Sequence, residues 1–353
     1  MPRGGARSSK TPSMKLKLYL LLPSLLCVSL MSPAQDIHFT MYDMAPLSLN
    51  PAHTGAYEGT FRIGGIYRDQ WASIMPNQFT TPMFYLDAPV LMVGKRNWVG
   101  VGMMMYQDKA GVARLRNGTV QFSGAFHLAL DKKSDYVLTL GLQGGMVQRD
   151  FDITSPEVLL GDELLAGTPG ASPDRTVQEP RANYLDMATG VMFRARMNDE
   201  TTFTAGIAAH HINKPKYSLL QQNSKAITQP LRLNGHMRVD YQYNELLTLS
   251  PTLLFQNMAG TNEIILQGWG KYLIKKEQDL SLIGGLGYRL ADAAMVIVGA
   301  QYQDWKVALS YDINTSSLRR ASNYRGGFEI ALGYIGRIYK KPDVKPAIIC
   351  PRL

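Results

Sequence analysis

The sequence predicts an all-β protein: a transmembrane, up-and-down antiparallel β-barrel of about fourteen strands with an irregular segment before the first. Three observations carry this. Apolar and polar residues alternate with a period of two over most of the chain. The links between the alternating runs are sorted by length, short after even-numbered runs and mostly long after odd ones. The one continuous apolar run lies at the front, and it is shorter than the roughly twenty residues a spanning helix needs.

Residues 1–34 carry Arg3, Arg7, Lys10, Lys15 and Lys17 and no acid. Within "MKLKLYLLLPSLLCVSLMSPAQD" a basic start leads into the apolar run and then into Ser32-Pro33-Ala34. That pattern predicts a cleaved signal peptide over 1–34 and a mature chain beginning near Gln35, with Met1 or Met14 as the start of translation. Leu26 stands where a lipid-anchored Cys27 would need a small residue, so no lipid anchor is expected. Removing the front leaves Cys350 as a lone cysteine, and an exported chain without a disulfide depends on its ladder and core. The formal charge of +9 becomes 9 − 5 = +4 without the front, too mild a balance to call for a nucleic-acid partner. Only 18% of residues are charged, and 32 Gly and 18 Tyr suit strands and turns.

Residues 35–58 have no steady period, are dense in Met and aromatic residues, and contain Pro46 and Pro51. Such a segment packs as a plug or rim cap, with a partner-binding arm as the alternative.

The barrel is expected over 59–339. Its strands start near Gly59, Thr80, Trp98, Asn117, Tyr136, Tyr184, Thr201, Pro230, Leu246, Glu263, Asp279, Ala294, Trp305 and Gly326. In "WKVALSYDI" the residues Trp305, Val307, Leu309, Tyr311 and Ile313 share one face, assigned to lipid, with Lys306, Ala308, Ser310 and Asp312 opposite. An Arg at Leu309 is therefore expected to impair assembly, and one at Ser310 to be tolerated better in a roomy lumen. Trp98, Tyr136, Tyr243, Trp305 and Tyr339 stand near strand ends, as interfacial girdles require.

Even-numbered strands end in tight links at 94–97, 131–135, 197–200, 244–245 and 275–278. Odd-numbered strands end in longer ones at 72–79, 109–116, 150–183, 214–229 and 314–325, with a short exception near Asp292. Outer-membrane barrels sort their loops in this way, with short periplasmic turns and long external loops, and this parity places both chain ends in the periplasm. The longest link, 150–183, is rich in Pro and Gly and fits a lid, a plug or a mobile loop.

No catalytic, cofactor or metal site is predicted. His210-His211 lie on a strand, where neighbours point to opposite faces and do not readily share an ion, so wall or rim histidines are expected. Asp69, Asp87 and Asp186 are expected to pair with Arg62, Arg68 or Arg194 inside the lumen. "GGLG" at 284–287 has no helix pattern after it, and so is no phosphate loop.

"LSLNPAHTGAYEG" followed by "IYRDQW" resembles the N-terminal signature of the PorP/SprF family of Bacteroidota. "SYDINTSSL", "GGFEIALGY" and the ending "CPRL" resemble its closing strands and tail, so the match spans nearly all of 35–353. The positions that carry it are candidate structural or partner-binding residues: Asn50, Pro51 and Gly55, then Arg68, Asp69 and Trp71, then Asp312 and Glu329, and finally Cys350, Pro351 and Arg352. The family resemblance implies a non-enzymatic outer-membrane component of type IX secretion and gliding. Its implied partners are the periplasmic ring, a peptidoglycan-binding lipoprotein, or the C-terminal domain of a secreted adhesin. His53-Thr54 departs from the family's usual Tyr-Ala, which bears on the role within the family rather than on membership. A transport barrel for a small or hydrophobic solute, gated by 150–183, is the alternative. Lipid leaves only the rims and lumen mouth for protein partners: the N-terminal segment, the long loops and the Pro-rich tail 340–353.

Overall fold

The computed structural model describes residues 36–71, 79–111, 114–152, 158, 161–172, 175, 181–219 and 226–338. The expected signal peptide, Tyr339 and the tail with Cys350, Pro351 and Arg352 lie outside these residues.

The strands are β1 (Phe61–Gln70), β2 (Phe79–Val93), β3 (Asn97–Ala110), β4 (Leu115–Ala129), β5 (Tyr136–Asp150), β6 (Arg181–Arg196) and β7 (Thr201–His210). A short hairpin follows, β8 (Lys216–Tyr217) with β9 (Ile227–Thr228), which stands apart from the main sheet. The chain resumes with β10 (Arg232–Gln242), β11 (Leu247–Met258), β12 (Thr261–Lys275), β13 (Leu280–Arg289), β14 (Ala293–Tyr302), β15 (Trp305–Asn314) and β16 (Arg325–Gly336). All but the hairpin pair with their chain neighbours, and β16 returns to β1 from Phe61↔Gly336 to Gln70↔Gly327. The result is a closed antiparallel barrel of fourteen strands, with no edge left to pair.

Alternation sorts the two faces as the sequence predicts. Val307, Leu309, Tyr311 and Ile313 are exposed, whereas Ala308, Ser310 and Asp312 are buried. Exposed Phe122, Leu140, Leu185, Leu233, Leu286 and Val298 continue the outward apolar surface around the barrel. No helix among the described residues is long and apolar enough to cross a membrane. Trp98 departs from the girdle expectation. Its ring stacks 4.5 Å from His127, and its Nε1 donates to the Gly55 carbonyl at 3.0 Å, so it faces inward.

Short links at 94–96, 130–135, 197–200, 243–246, 276–279 and 303–304 define one rim. The other rim carries the long links, and Ala259-Gly260 joins the Asp292 turn as a second short exception there. Both of its residues have positive φ, +51° and +83°, which suits a tight hairpin turn.

Inside the barrel lies the N-terminal segment. Pro46 opens a four-residue helix, Pro46–Leu49, and Pro51 opens a 3-10 turn, Pro51–His53; a proline's fixed φ suits both first positions. The segment's Phe39, Met41, Met44 and Leu47 pack with Ile66, Met83, Tyr85, Met104, Trp269 and Ile297 of the wall in one buried cluster. It starts beside His211 and Arg232 at the long-loop end and reaches the short-turn end, where Glu58 approaches Arg196 at 3.6 Å. The described N-terminal end thus sits toward the long-loop rim, not at the short-turn rim that parity suggests. The chain threads the lumen before β1 begins.

Candidate functional site: a clamped plug in the lumen

Two clusters of inward side chains hold the plug, one near each end. At the long-loop end the Glu329 carboxylate accepts the backbone N–H groups of Thr40 at 2.6 Å and Met41 at 2.8 Å. Arg68 donates to Glu329 and lies 3.2 Å from Asp312, whose other oxygen accepts the Thr40 hydroxyl at 2.7 Å. Arg289 reaches the same Asp312 at 3.4 Å, and Gln267 donates to the Thr40 carbonyl at 2.7 Å. Arg289 also lies 2.8 Å from Asp292 and 3.7 Å from Glu263, so the two cations are amply matched by carboxylates around one turn of the plug. Removing one partner from such a buried set strands a charge, at a cost of about 3–5 kcal/mol.

A second tie at this end involves Asp36, which lies 2.8 Å from Arg232 and 3.0 Å from Nε2 of His211. Burial would raise the Asp36 pKa, but the Arg232 charge and the His211 hydrogen bond hold it well below the usual carboxylate range. The other ring nitrogen of His211 meets Asp186 at 2.8 Å, and Asp186 also accepts from Gln121 at 2.9 Å. Burial alone would lower the His211 pKa; the hydrogen bonds its ring donates to Asp186 and Asp36 instead push it up to about 9.

Farther along the plug, at mid-wall, Asn50 Oδ1 accepts the Ala52 N–H at 2.9 Å, capping the turn. Its Nδ2 donates to the wall carbonyls of Val191 at 3.2 Å and Ile207 at 3.3 Å. Gly190 makes room for this side chain, since a Cβ there would lie 2.0 Å from Asn50 Oδ1. Asp87 accepts the Gly55 N–H at 2.7 Å and pairs with Arg62 at 2.8 Å, and Arg62 donates to the His53 carbonyl at 3.0 Å. Gly55 has φ +71°, and a Cβ on it would sit 2.8 Å from Gly100 Cα, so glycine is required on both counts. In the chain between these two sets, Asp43 pairs with Arg238, and the Tyr42 hydroxyl donates to Thr252 at 2.7 Å.

Of the residues singled out in the sequence, Arg68, Asp312 and Glu329 meet in the first clamp, and Asn50, Pro51 and Gly55 in the second. Asp69 and Trp71 do not join either. Asp69 follows Arg68 and so takes the opposite face of β1; Trp71, at φ +58°, packs edge-on against Phe79 at 5.3 Å. The expected ion pairing holds for Asp87 with Arg62 only. Asp186 takes His211, and Arg194 lies 3.7 Å from Glu58. His210 and His211 do not point to opposite faces: both are buried, because His211 adopts φ +60° just past β7 and turns inward. Among the described residues no group of three or more His, Cys, Asp or Glu is placed to hold a metal. Thr40, Asp36, Arg232 and Arg289 escaped the sequence reading. The signal that finds the two arginines is charge at an inward position of an otherwise alternating strand.

A closed barrel with an apolar outer wall, its lumen filled by its own N-terminal segment, defines a plugged β-barrel of the outer-membrane type. The chain belongs to a particular family of these, the type IX secretion system membrane protein PorP/SprF family, whose sequence model matches residues 31–334. Among solved structures it is similar to the toluene transporter TbuX of Ralstonia pickettii, with a TM-score of 0.51 and 10% identity over 88% of this chain and 96% of that one. The monoaromatic hydrocarbon channel CymD gives a TM-score of 0.50 and 8% identity over 84% and 93%. At such identity these likenesses concern the fold alone. No curated protein matches the sequence.

Proposed function

We propose that this chain is a non-enzymatic outer-membrane component of type IX secretion that holds protein partners at its rims. The observation that carries the reading is the lumen, which is occupied by residues 36–58 and bonded to the wall at both ends. With the outer wall facing lipid and the interior filled, partner surfaces fall to the loops and chain ends. Family membership supports partners within the secretion machinery. These are the periplasmic ring or a peptidoglycan-binding lipoprotein on the short-turn side, or the C-terminal domain of a secreted adhesin on the long-loop side. In this reading residues 1–34 are a cleaved signal peptide, and the tail 340–353 stays in the periplasm.

The test deletes 347–353 and, separately, shortens the loop across 162–179, after checking that each variant reaches the outer membrane. At least one variant is expected to lose a co-purifying secretion component or adhesin while its barrel remains heat-modifiable on gels. If both insert normally with secretion, adhesin display and co-purification unchanged, rim binding is wrong.

A further inference from the structure

The outer wall over β3 to β6 is unlike the rest. Cross-strand register places Lys109, Arg116, Asp150 and Arg181 side by side in one row next to the long-loop rim. The row faces outward, because it continues the parity of exposed Met105, Val120, Met146 and Leu185. One rung nearer the middle of the wall stand the amides Gln107, Gln148 and Asn183, with Gly118 between the two glutamines. The exposed apolar side chains form the next rung. At about 3.3 Å per residue, charge gives way to hydrocarbon within roughly 13 Å.

A groove of about 790 Å³ lies beneath the charged row, lined by Pro82, Phe84, Gln107, Gly118, Met146 and Asn183. Gly118 and Pro82 open it, since neither projects a long side chain. Its size is within the ~300–1,000 Å³ usual for small-molecule sites. Three cations and one carboxylate give the row a net charge of 3 − 1 = +2. Elsewhere near the same rim Leu233, Tyr288, Ile313 and Phe328 take the outward places. Asp69, two strands beyond Lys109 with Thr80 between, bounds the basic patch on the β1 side.

We propose that the groove and the basic row form a binding site for the phosphorylated glycolipid of the outer leaflet, lipopolysaccharide. Its acyl chains lie in the groove and a lipid A phosphate meets Arg116 and Arg181. Arginine offers planar paired donors that match phosphate oxygens. Cations on a lipid-facing wall are costly at the midplane and nearly neutral at the interface, which is where this row sits. The proposal rests on the outer-membrane reading above, which turns the long-loop rim toward the outer leaflet.

Native mass spectrometry of the full barrel in detergent, titrated with lipid A, tests it. The wild type is expected to retain lipid A at least ten-fold more tightly than phosphatidylglycerol, with inorganic phosphate failing to displace it. Arg116→Gln combined with Arg181→Gln should weaken retention at least ten-fold. So should Gly118→Leu, which fills the groove from a site where an added Cβ meets only the Gln148 carbonyl at 3.9 Å. Leu233→Gln, elsewhere on the wall, should leave it unchanged. Heat-modifiable migration checks that each variant is folded. Equal retention of the two lipids, or wild-type retention by both groove variants, overturns the site. Partner co-purification from the same variants separates the readings: its persistence without lipid A selectivity removes the lipid site alone.

Discussion

His53 and His211 lie in different parts of the plug's attachment and titrate in opposite senses. Burial, with the nearby His236 and Arg62, holds the His53 pKa well below its ordinary 6.5. Its contribution to plug stability is therefore full above about 6.5 and is lost as pH falls below that value. His211 is pushed up to about 9, so its contribution is full below about 6.5 and is lost as pH rises through 9. The span between those two values corresponds to a contribution on the order of 3 kcal/mol at one pH unit per ~1.4 kcal/mol. Plug protection is expected to be greatest near pH ~6.5. Hydrogen-exchange mass spectrometry of residues 36–58, corrected for intrinsic rates, reads this directly while the barrel strands serve as the internal control. Protection that climbs steadily to pH 9 would contradict the His211 assignment.

Strands obey a simpler rule, and one substitution expectation changes with the structure. Leu309 is exposed on the outer wall, so Leu309→Arg places a cation in hydrocarbon at about 2–4 kcal/mol near the midplane and should impair assembly. Ser310 faces a filled lumen and lies 3.5 Å from Glu329, so the roomy interior that would accept an arginine is not there. Ser310→Arg is expected to insert normally yet compete with Arg68 for Glu329, releasing Thr40 and Met41. Urea-resistant folding assays in lipid vesicles measure the first effect, and exchange at 36–44 the second. Equal exchange in Ser310→Arg and wild type would separate Glu329 from plug retention. Strand positions themselves are legible from period alone: Tyr136, Thr201 and Trp305 start their strands where alternation places them. The short hairpin β8–β9 is not, because two-residue strands carry no period to detect.

For the molecule as a whole, conductance tests the proposed holding role against solute transport. Reconstituted in planar bilayers, the wild type is expected to be electrically silent. Deleting 36–58 should open a conducting lumen, as should Arg68→Ala with Glu329→Ala if the deletion fails to fold. A wild type that conducts steadily would favour the solute-transport alternative. Closure belongs to this scale as well, since β1 pairs with β16 across the whole length of the described barrel sequence.

The sequence by itself determined the lipid-facing wall, the number of barrel strands and the loop asymmetry. Each follows from residue type and local spacing, because hydrocarbon selects side chains one at a time by polarity. Only the tertiary structure decided which interior charges meet. Arg68 and Glu329 stand 261 residues apart, and Thr40 and Glu329 stand 289 apart. Those meetings depend on closure and register, which bring β1, β15 and β16 side by side around the plug. The inward turn of His211 and the threading of residues 36–58 back through the lumen belong to the same class. They are set by space and charge inside the closed barrel, to which no local period in the chain corresponds.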